Sequence, residues 1–412
     1  MSDKKFDVII VGAGPAGAAT AIALGNSGLS VALLDKSKFP RDKTCGDALS
    51  VDVVNQLKIL SPLLSDSFEQ LAAKIPSYGV KIFAPNGEPL DIPFVYQQEK
   101  KCGYVCSRLD FDHLLVRHLA TYPNVSLFED CLVSGVEDAG SQIRVHTNCG
   151  CFSGLMIVGA DGAYSVIAKK LTNLKPDKEH YSAGLRLYCE GVSGFHPEKF
   201  IELHFFQHIL PGYFWIFPLP DNTANVGIGM LSSTVSKKKV NLKEVLHQLI
   251  STHPAFADRF KHAKPKETVK GYGLPLGSKK RSLSGERYLL TGDAASLIDP
   301  FSGEGIANAI RSGRVAASHI LKCFRENNFT KSFNTQYDHE IYRRMWKELR
   351  LSRALQRLCK YPWLFNFVVG KANQSRYVHQ LLIDALANVD KKKSLVEPGF
   401  YYRLLFSGKR KA

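Results

Sequence analysis

Short apolar runs and polar breaks divide the chain into recognisable pieces. "FDVIIV" (6–11), "SVALLD" (30–35), "LMIVGAD" (155–161) and "RYLLTGDAA" (287–295) are nearly unbroken apolar segments of strand length. Such runs predict strands buried on both faces, as in a parallel sheet covered by helices. Between the first two, "PAGAATAIALGNSG" predicts a small-residue helix closing on Gly28. Residues 76–100 are short and β-like, and "YVCSRLDFDHLLVRHLA" (104–120) predicts a strand running into an amphipathic helix. Residues 126–162 alternate as a β meander that returns to a buried strand. The stretch 181–275 is strand-rich and aromatic, a helix is expected from about Gly303 to Leu321, and the pattern beyond 330 is helical and basic.

Segments of the nucleotide-binding kind therefore flank a strand-rich middle. The economical arrangement is an α/β (α+β overall) protein in which one discontinuous domain carries an insertion. The expected boundaries are 1–75, 104–180 and 276–330 for a Rossmann-like parallel-sheet domain. Residues 76–103 and 181–275 form an inserted antiparallel-sheet domain, and 331–412 a helical segment that closes the site.

Composition changes this picture little. Of 412 residues, 45% are hydrophobic and 22% charged, as in ordinary globular proteins. Lys+Arg 54 against Asp+Glu 38 gives +16. The basic clusters 237–239, 279–281, 391–393 and 409–411 are scattered and no base-reading motif accompanies them, so nucleic acid is not an expected partner. Solvated faces, or peripheral contact with an anionic membrane surface, account for them. The nine cysteines are odd in number and lack zinc spacing. No disulfide framework and no metal site are expected, and a reducing, cytoplasmic setting follows. The opening lysines and apolar residues imitate a leader, but Asp7 and the glycines fit strand, turn and helix better. No window holds eighteen uninterrupted apolar residues, so a soluble protein, at most peripheral and monomeric, is expected.

Gly12, Gly14 and Gly17 spell GxGxxG between the first strand and helix, followed by Pro15 and Ala16 inside the turn. Gly12 permits the tight turn, Gly14 lets backbone approach a pyrophosphate, and Gly17 lets helix and strand pack closely. Asp35, with Lys36 beside it, ends the second strand 18 residues after Gly17, where a carboxylate would accept ribose hydroxyls and oppose a 2′-phosphate. Far downstream, "YLLTGDAASLIDPFSGEGIANAIRSG" delivers Asp293 from a buried strand and then a turn from Pro300 to Ile306. Its glycines, Gly303 and Gly305, admit a flat ring against backbone, and the following helix aims its N-terminus at that ring. A reduced flavin is anionic there and a nicotinamide is not, so FAD is the expected cofactor.

The same residues carry a family likeness. The GxGxxG turn, "GADG" (159–162) and "GDAA" (292–295) together resemble the p-hydroxybenzoate hydroxylase-like flavoproteins. "DKTCGDALS" (42–50), "VCSRLDFDHLL" (105–115), "YFWIFPLPDNTANVGIG" (213–229) and "DPFSGEGI" (299–306) narrow the resemblance to the geranylgeranyl reductase family over residues 5 to 320. The resemblance implies that Asp35 holds ribose, that Cys45 and Gly46 form the turn against the isoalloxazine, and that Arg108 reaches phosphates and ribityl. It also implies cofactor contacts for Asp161, Asp293, Gly305 and Ile306, and one between Val133 and adenine. Relatives place an arginine where this chain has Ala168, which leaves the role of that loop open.

Alternation in "YFWIFP" sends Tyr213, Trp215 and Phe217 to one face and Phe214 and Ile216 to the other. In the resembling family this strand bounds the tunnel for a polyprenyl chain, so the first set is expected to line a substrate pocket. The chemistry implied is reduction of isolated C=C bonds, with Cys45, then Tyr213, as proton-donor candidates and Tyr78 as an outsider. Electrons would come from NAD(P)H or a ferredoxin-like protein, since no second fingerprint appears. A flavin monooxygenase and a halogenase remain alternatives; the latter needs a tunnel lysine, for which Lys74 and Lys81 are available. So does a lipid carrier bearing FAD. Tyr361 to Phe365 are expected to form an apolar elbow closing the tunnel.

Overall fold

A computed structural model describes residues 4–96, 98–172 and 177–387, together with 397 and 399. Four parallel strands form the centre of the first sheet. In spatial order they are Val31–Leu34, Lys4–Val11, Gly150–Gly159 and Tyr288–Leu290, with Val125–Phe128 outside the first of them. Val8, Ile9, Ile10 and Leu33 are wholly buried, as unbroken apolar runs require when helices cover both faces. The hairpin Val133–Asp138 and Ile143–Thr147 continues the sheet antiparallel along the first half of Gly150–Gly159, while Tyr288–Leu290 takes its second half.

Register places the site. Val11 pairs with Leu34 and with Gly159, and Gly159 pairs with Leu290. Four strands therefore end level with one another, and the residues just beyond them, Gly12, Asp35, Asp161 and Asp293, gather at the carboxyl edge where α/β sheets bind ligands. The helix Pro15–Ala23 packs against the helix Ile306–Arg325, so the beginning and the late part of the sequence form one unit.

The second sheet runs in the order Lys264–Pro265, Tyr181–Glu190, Thr223–Leu231, Gly212–Leu219, Ile201–His204, Gly79–Phe83, Pro89–Pro93, with Lys270–Pro275 also on Tyr181–Glu190. It is antiparallel except where Ile201–His204 pairs parallel with Gly79–Phe83, a union of segments more than a hundred residues apart that an all-antiparallel expectation misses. Leu246, Leu249 and Phe256 pack under the face that carries Phe214 and Ile216. A small sheet of Ala48–Leu49, Gly103–Cys106 and Lys74–Ser77 joins the two larger ones.

Beyond the first sheet, the helix Lys331–Leu358 buries Tyr337, Ile341, Met345 and Leu349 in the main core. Pro362–Gln374 and Arg376–Ala387 follow and pack on Leu90 and Ile92. Tyr361 and Trp363 of the expected apolar elbow point to solvent at 54% and 68% exposure; Phe365 turns inward, its ring 4.7 Å from that of Phe205. The basic clusters at 391–393 and 409–411 lie outside the described residues. Among the described residues no helix is long and apolar enough to cross a membrane.

One expectation is corrected. Cys131 and Cys149 form a disulfide, with Cα atoms 5.8 Å apart. Their spacing matches no motif; the hairpin between them brings its two ends together, and Asn148 ties them further by bonding Leu132 and Asp130.

Candidate flavin and substrate cavity

The glycine turn is built as close packing demands. Gly12 has φ +98°, and a Cβ there would press into the Ala160 carbonyl, 2.7 Å from its carbon. Gly17 faces the Gly12 carbonyl so tightly that any side chain would part helix from strand. The helix Pro15–Ala23 begins at Gly14, which offers no side-chain cap, and the helix Ile306–Arg325 begins the same way at Gly305. Two helix N-termini thus face the strand ends without an internal acceptor, an arrangement that suits an anionic guest.

Asp35 stitches the edge together: its Oδ2 accepts from Ala13 N at 2.8 Å and its Oδ1 from Ser37 N at 2.9 Å. Beside it Arg41 bonds Asp112 at 3.0 Å. Arg108 lies fully sheltered and clasps Asp112 with two hydrogen bonds, 2.6 and 2.8 Å long. Burial opposes the charge on Arg108, but the Asp112 carboxylate outweighs it and holds the guanidinium protonated. Asp161 is occupied locally: it accepts from Ser165 Oγ and from the amides of Val166 and Ile167, capping the helix Val166–Leu171. Burial raises its pKa, against those hydrogen bonds.

The segment 42–47 crosses from the first sheet to the second. Asp42 receives both oxygens' worth of bonding from Arg186 at 2.9 Å, and Lys270 at 2.8 Å. Lys43 sits 4.0 Å from Asp293 Oδ2 and over the Tyr272 ring, and burial lowers its pKa against the pull of Asp293. Gly46 lies flat on the aromatic strand; a Cβ would come within 3.0 Å of Phe217. Asp47 is completely buried, takes Tyr188 Oη at 2.6 Å and Asn225 Nδ2 at 2.7 Å on one oxygen, and leaves the other, Oδ1, without a partner. Burial pushes its pKa up to about 6, moderated by those two bonds.

Opposite stands the turn 299–305. Asp299 organises it by accepting from Phe301 N, Ser302 N and Ser302 Oγ at 2.8–3.0 Å, and Gly303 adopts φ +74°. Tyr213 donates its hydroxyl to the Ser302 carbonyl, tying the aromatic strand to this turn, and burial raises its pKa. Glu304 accepts from Ser50 Oγ. Burial raises the Glu304 pKa to about 7; the Ser50 bond opposes this, and the carboxylates of Asp52, Asp299 and Glu348 reinforce it.

These walls enclose one cavity of about 1210 Å³, larger than a single drug-sized site requires. Gly12, Pro15, Ala16, Asp35, Lys36, Cys45, Gly46, Arg108, Val133, Asp161, Asp293, Pro300, Gly303, Gly305 and Ile306 all line it, and so do Tyr213, Trp215 and Phe217. Gly14 and Gly17 do not; they shape the turn from behind. Asp35, Arg41 and Arg108 make one end polar, whereas Ile82, Ile92, Leu203 and Phe205 make another apolar. Phe214 and Ile216 face the separate core beneath the sheet. Lys74 bonds the Glu69 and Leu71 carbonyls, Lys81 sits near Asp91, and neither is on the cavity wall. Tyr78 is off it too, below Lys100. Lys43, Asp47, Glu304 and Arg186 escape the sequence reading, although the "CGD" and "GEG" triplets already set an acid beside each glycine turn.

The polar end, the uncapped helix starts and the glycine cradle fit a dinucleotide, and the family comparison agrees. Residues 5–352 match the FAD binding domain family, and the chain belongs to it. It is an FAD-dependent oxidoreductase related to the geranylgeranyl reductases. A menaquinone reductase of Mycobacterium tuberculosis is 29% identical over 327 residues, 76% of either chain. A digeranylgeranylglycerophospholipid reductase 2 of Methanopyrus kandleri is 28% identical over 346 residues, 81% of either chain. A solved geranylgeranyl bacteriochlorophyll reductase-like protein from Thermoplasma acidophilum superposes with a TM-score of 0.79 at 21% identity, covering 96% of this chain and 100% of its own. The flavin-dependent brominase Bmp2 shares the fold at a TM-score of 0.74 and 18% identity, over 91% and 93% of the two chains.

Proposed function

We propose that this chain reduces isolated carbon–carbon double bonds in the isoprenoid chain of a lipid, with FAD held across the carboxyl edge of the first sheet. The observation that carries the reading is the single cavity with a polar end at Asp35 and Arg108 and an aromatic wall of Tyr213, Trp215 and Phe217. Bound there, FAD supplies the two-electron reduction. Gly12, Pro15 and Ala16 would receive its pyrophosphate at the turn that Gly14 and Gly17 shape, with Asp35, Lys36 and Val133 at the adenosine and Arg108 and Asp293 along the ribityl. Asp161, Cys45, Gly46, Pro300, Gly303, Gly305 and Ile306 would frame the ring.

The chain's own residues then exclude water and manage a proton. Phe217 and Trp215 cover Gly46 from the second sheet, which keeps the ring site dry. Cys45 Sγ, beside Gly46 on the cavity wall, is the leading proton donor, and the Tyr213 hydroxyl, which donates to the Ser302 carbonyl, is the second. The relatives named for menaquinone and for a digeranylgeranyl phospholipid support a long isoprenoid guest. NAD(P)H or a ferredoxin-like protein would supply the electrons. A monomer touching anionic membrane at its periphery suits such a guest. A halogenase needs a lysine in the tunnel; Lys74 and Lys81 are off the wall, whereas Lys43 lines it beside Asp293.

The test is anaerobic incubation of the FAD-loaded, reduced protein with menaquinone or a geranylgeranylated lipid. After air reoxidation of any quinol, mass spectrometry should find an isoprenoid chain that has gained two hydrogens per reduced bond. Unaltered lipid from both classes would overturn the reading.

A further inference from the structure

A second hollow, of about 800 Å³, opens between the helices Ile306–Arg325 and Lys331–Leu358. Arg311, Arg314 and Lys322 enter it from the first helix, and Arg343 and Arg344 from the second. Glu340 serves both Arg343 and Arg344, at 2.7 and 2.5 Å, and Asp52 takes Arg311 at 2.5 Å. Five cations against these two carboxylates leave an excess of three positive charges. Among the described residues Arg314 bonds only a neutral amide oxygen, that of Gln56 at 2.9 Å. Burial, with the positive fields of Arg344 and Arg311 added to it, lowers the Arg314 pKa.

Cations on a solvated convex face point apart into water. Arg311 and Arg314 are instead half-buried between the two helices, with Lys322, Arg343 and Arg344 exposed around them, and mutual repulsion there costs stability unless an anion relieves it. The hydroxyls of Ser318 and Ser332 line the same hollow and add neutral donors, while that of Thr335 donates to the Lys331 carbonyl. Guanidinium forks beside hydroxyls match the oxygens of a phosphate.

We propose that this hollow is a binding site for a phosphate-bearing ligand. A nucleotide bisphosphate and a phospholipid headgroup present the same chemistry to it. Arg311 also lines the flavin cavity, so the ligand lies one side chain from that cavity. The site is independent of what the flavin reduces.

The experiment uses FAD-saturated protein, so that the flavin's own phosphate site is filled. Inorganic pyrophosphate is titrated against sodium chloride of equal ionic strength while Tm is recorded. Pyrophosphate should raise Tm by a few degrees at concentrations on the order of a hundred times its Kd, beyond any effect of chloride. R314Q and R344Q keep helix propensity, so both should fold. Each should raise the ligand-free Tm, because repulsion is relieved, and each should weaken pyrophosphate binding by about tenfold or more. Competition by adenosine 2′,5′-bisphosphate identifies a nucleotide as the source, and competition by phosphatidylglycerol vesicles identifies a headgroup. Equal shifts from chloride and pyrophosphate, or unchanged pyrophosphate binding in both variants, would overturn the proposal.

Discussion

Asn225 donates from Nδ2 to the backbone carbonyl of Cys45 at 2.8 Å, across 180 residues of sequence. The same amide group reaches Asp47 at 2.7 Å, and its oxygen takes the Trp215 indole N–H at 2.9 Å. One fully buried side chain thus fixes the turn at the ring site to the aromatic strand that covers it.

Replacing Asn225 by Leu strands the Trp215 donor and removes one of the two bonds to Asp47. Unpaired buried groups cost about 1–3 kcal/mol each, so the loss should be about 2–4 kcal/mol in urea unfolding. A loss below about 1 kcal/mol would show that the network is not a structural clamp.

At Gly12 the positive φ and the Ala160 carbonyl leave no room for a methyl group. Gly12→Ala should abolish FAD retention, measured as flavin absorbance after desalting, and reduce the yield of folded protein. Wild-type flavin content in the variant would contradict the proposed role of the turn.

Glu304 ties stability to pH. With its pKa near 7 in the folded protein and about 4.3 when unfolded, the native state binds the extra proton between those values. Stability should therefore be fullest below the lower value and decline as pH rises toward and past 7. Partial solvent exposure of Glu304 keeps this decline within about 1–3 kcal/mol. Glu304→Gln should flatten it, and the slope that remains should centre lower, where Asp47, at about 6, contributes with the same sign. Urea midpoints across pH check this; an unchanged slope would remove Glu304 as its source.

Cys45→Ala should leave flavin content intact while lowering lipid turnover by on the order of a hundredfold, the usual scale for a positioned proton donor. Full turnover would pass the role to another group.

Much of the fold is visible in the sequence because strand ends advertise themselves. Apolar runs ending in Gly12, Asp35, "GADG" and "GDAA" mark the four level strands, since buried parallel strands must be apolar and their tips polar. The aromatic strand's two faces also follow from a period of two. The Asp47–Tyr188 bond joins residues 141 apart and the Ser50–Glu304 bond residues 254 apart, and no local spacing encodes either. The Cys131–Cys149 pair depends likewise on a hairpin register set by its neighbours. Asp161 lines the cavity as its "GADG" context suggests, and its carboxylate also accepts from the Val166 and Ile167 amides at a helix start, a local use the motif does not reveal.

The most direct measurement follows the reduced flavin without oxygen as an isoprenoid lipid is added. If one cavity holds both cofactor and lipid, the oxidised flavin spectrum should return at a rate that rises with lipid concentration, while the isoprenoid chain of the recovered lipid, any quinol having been reoxidised in air, gains two hydrogens per flavin. A flavin that stays reduced beside saturating menaquinone and geranylgeranylated lipid, with both lipids recovered unaltered, would contradict that arrangement.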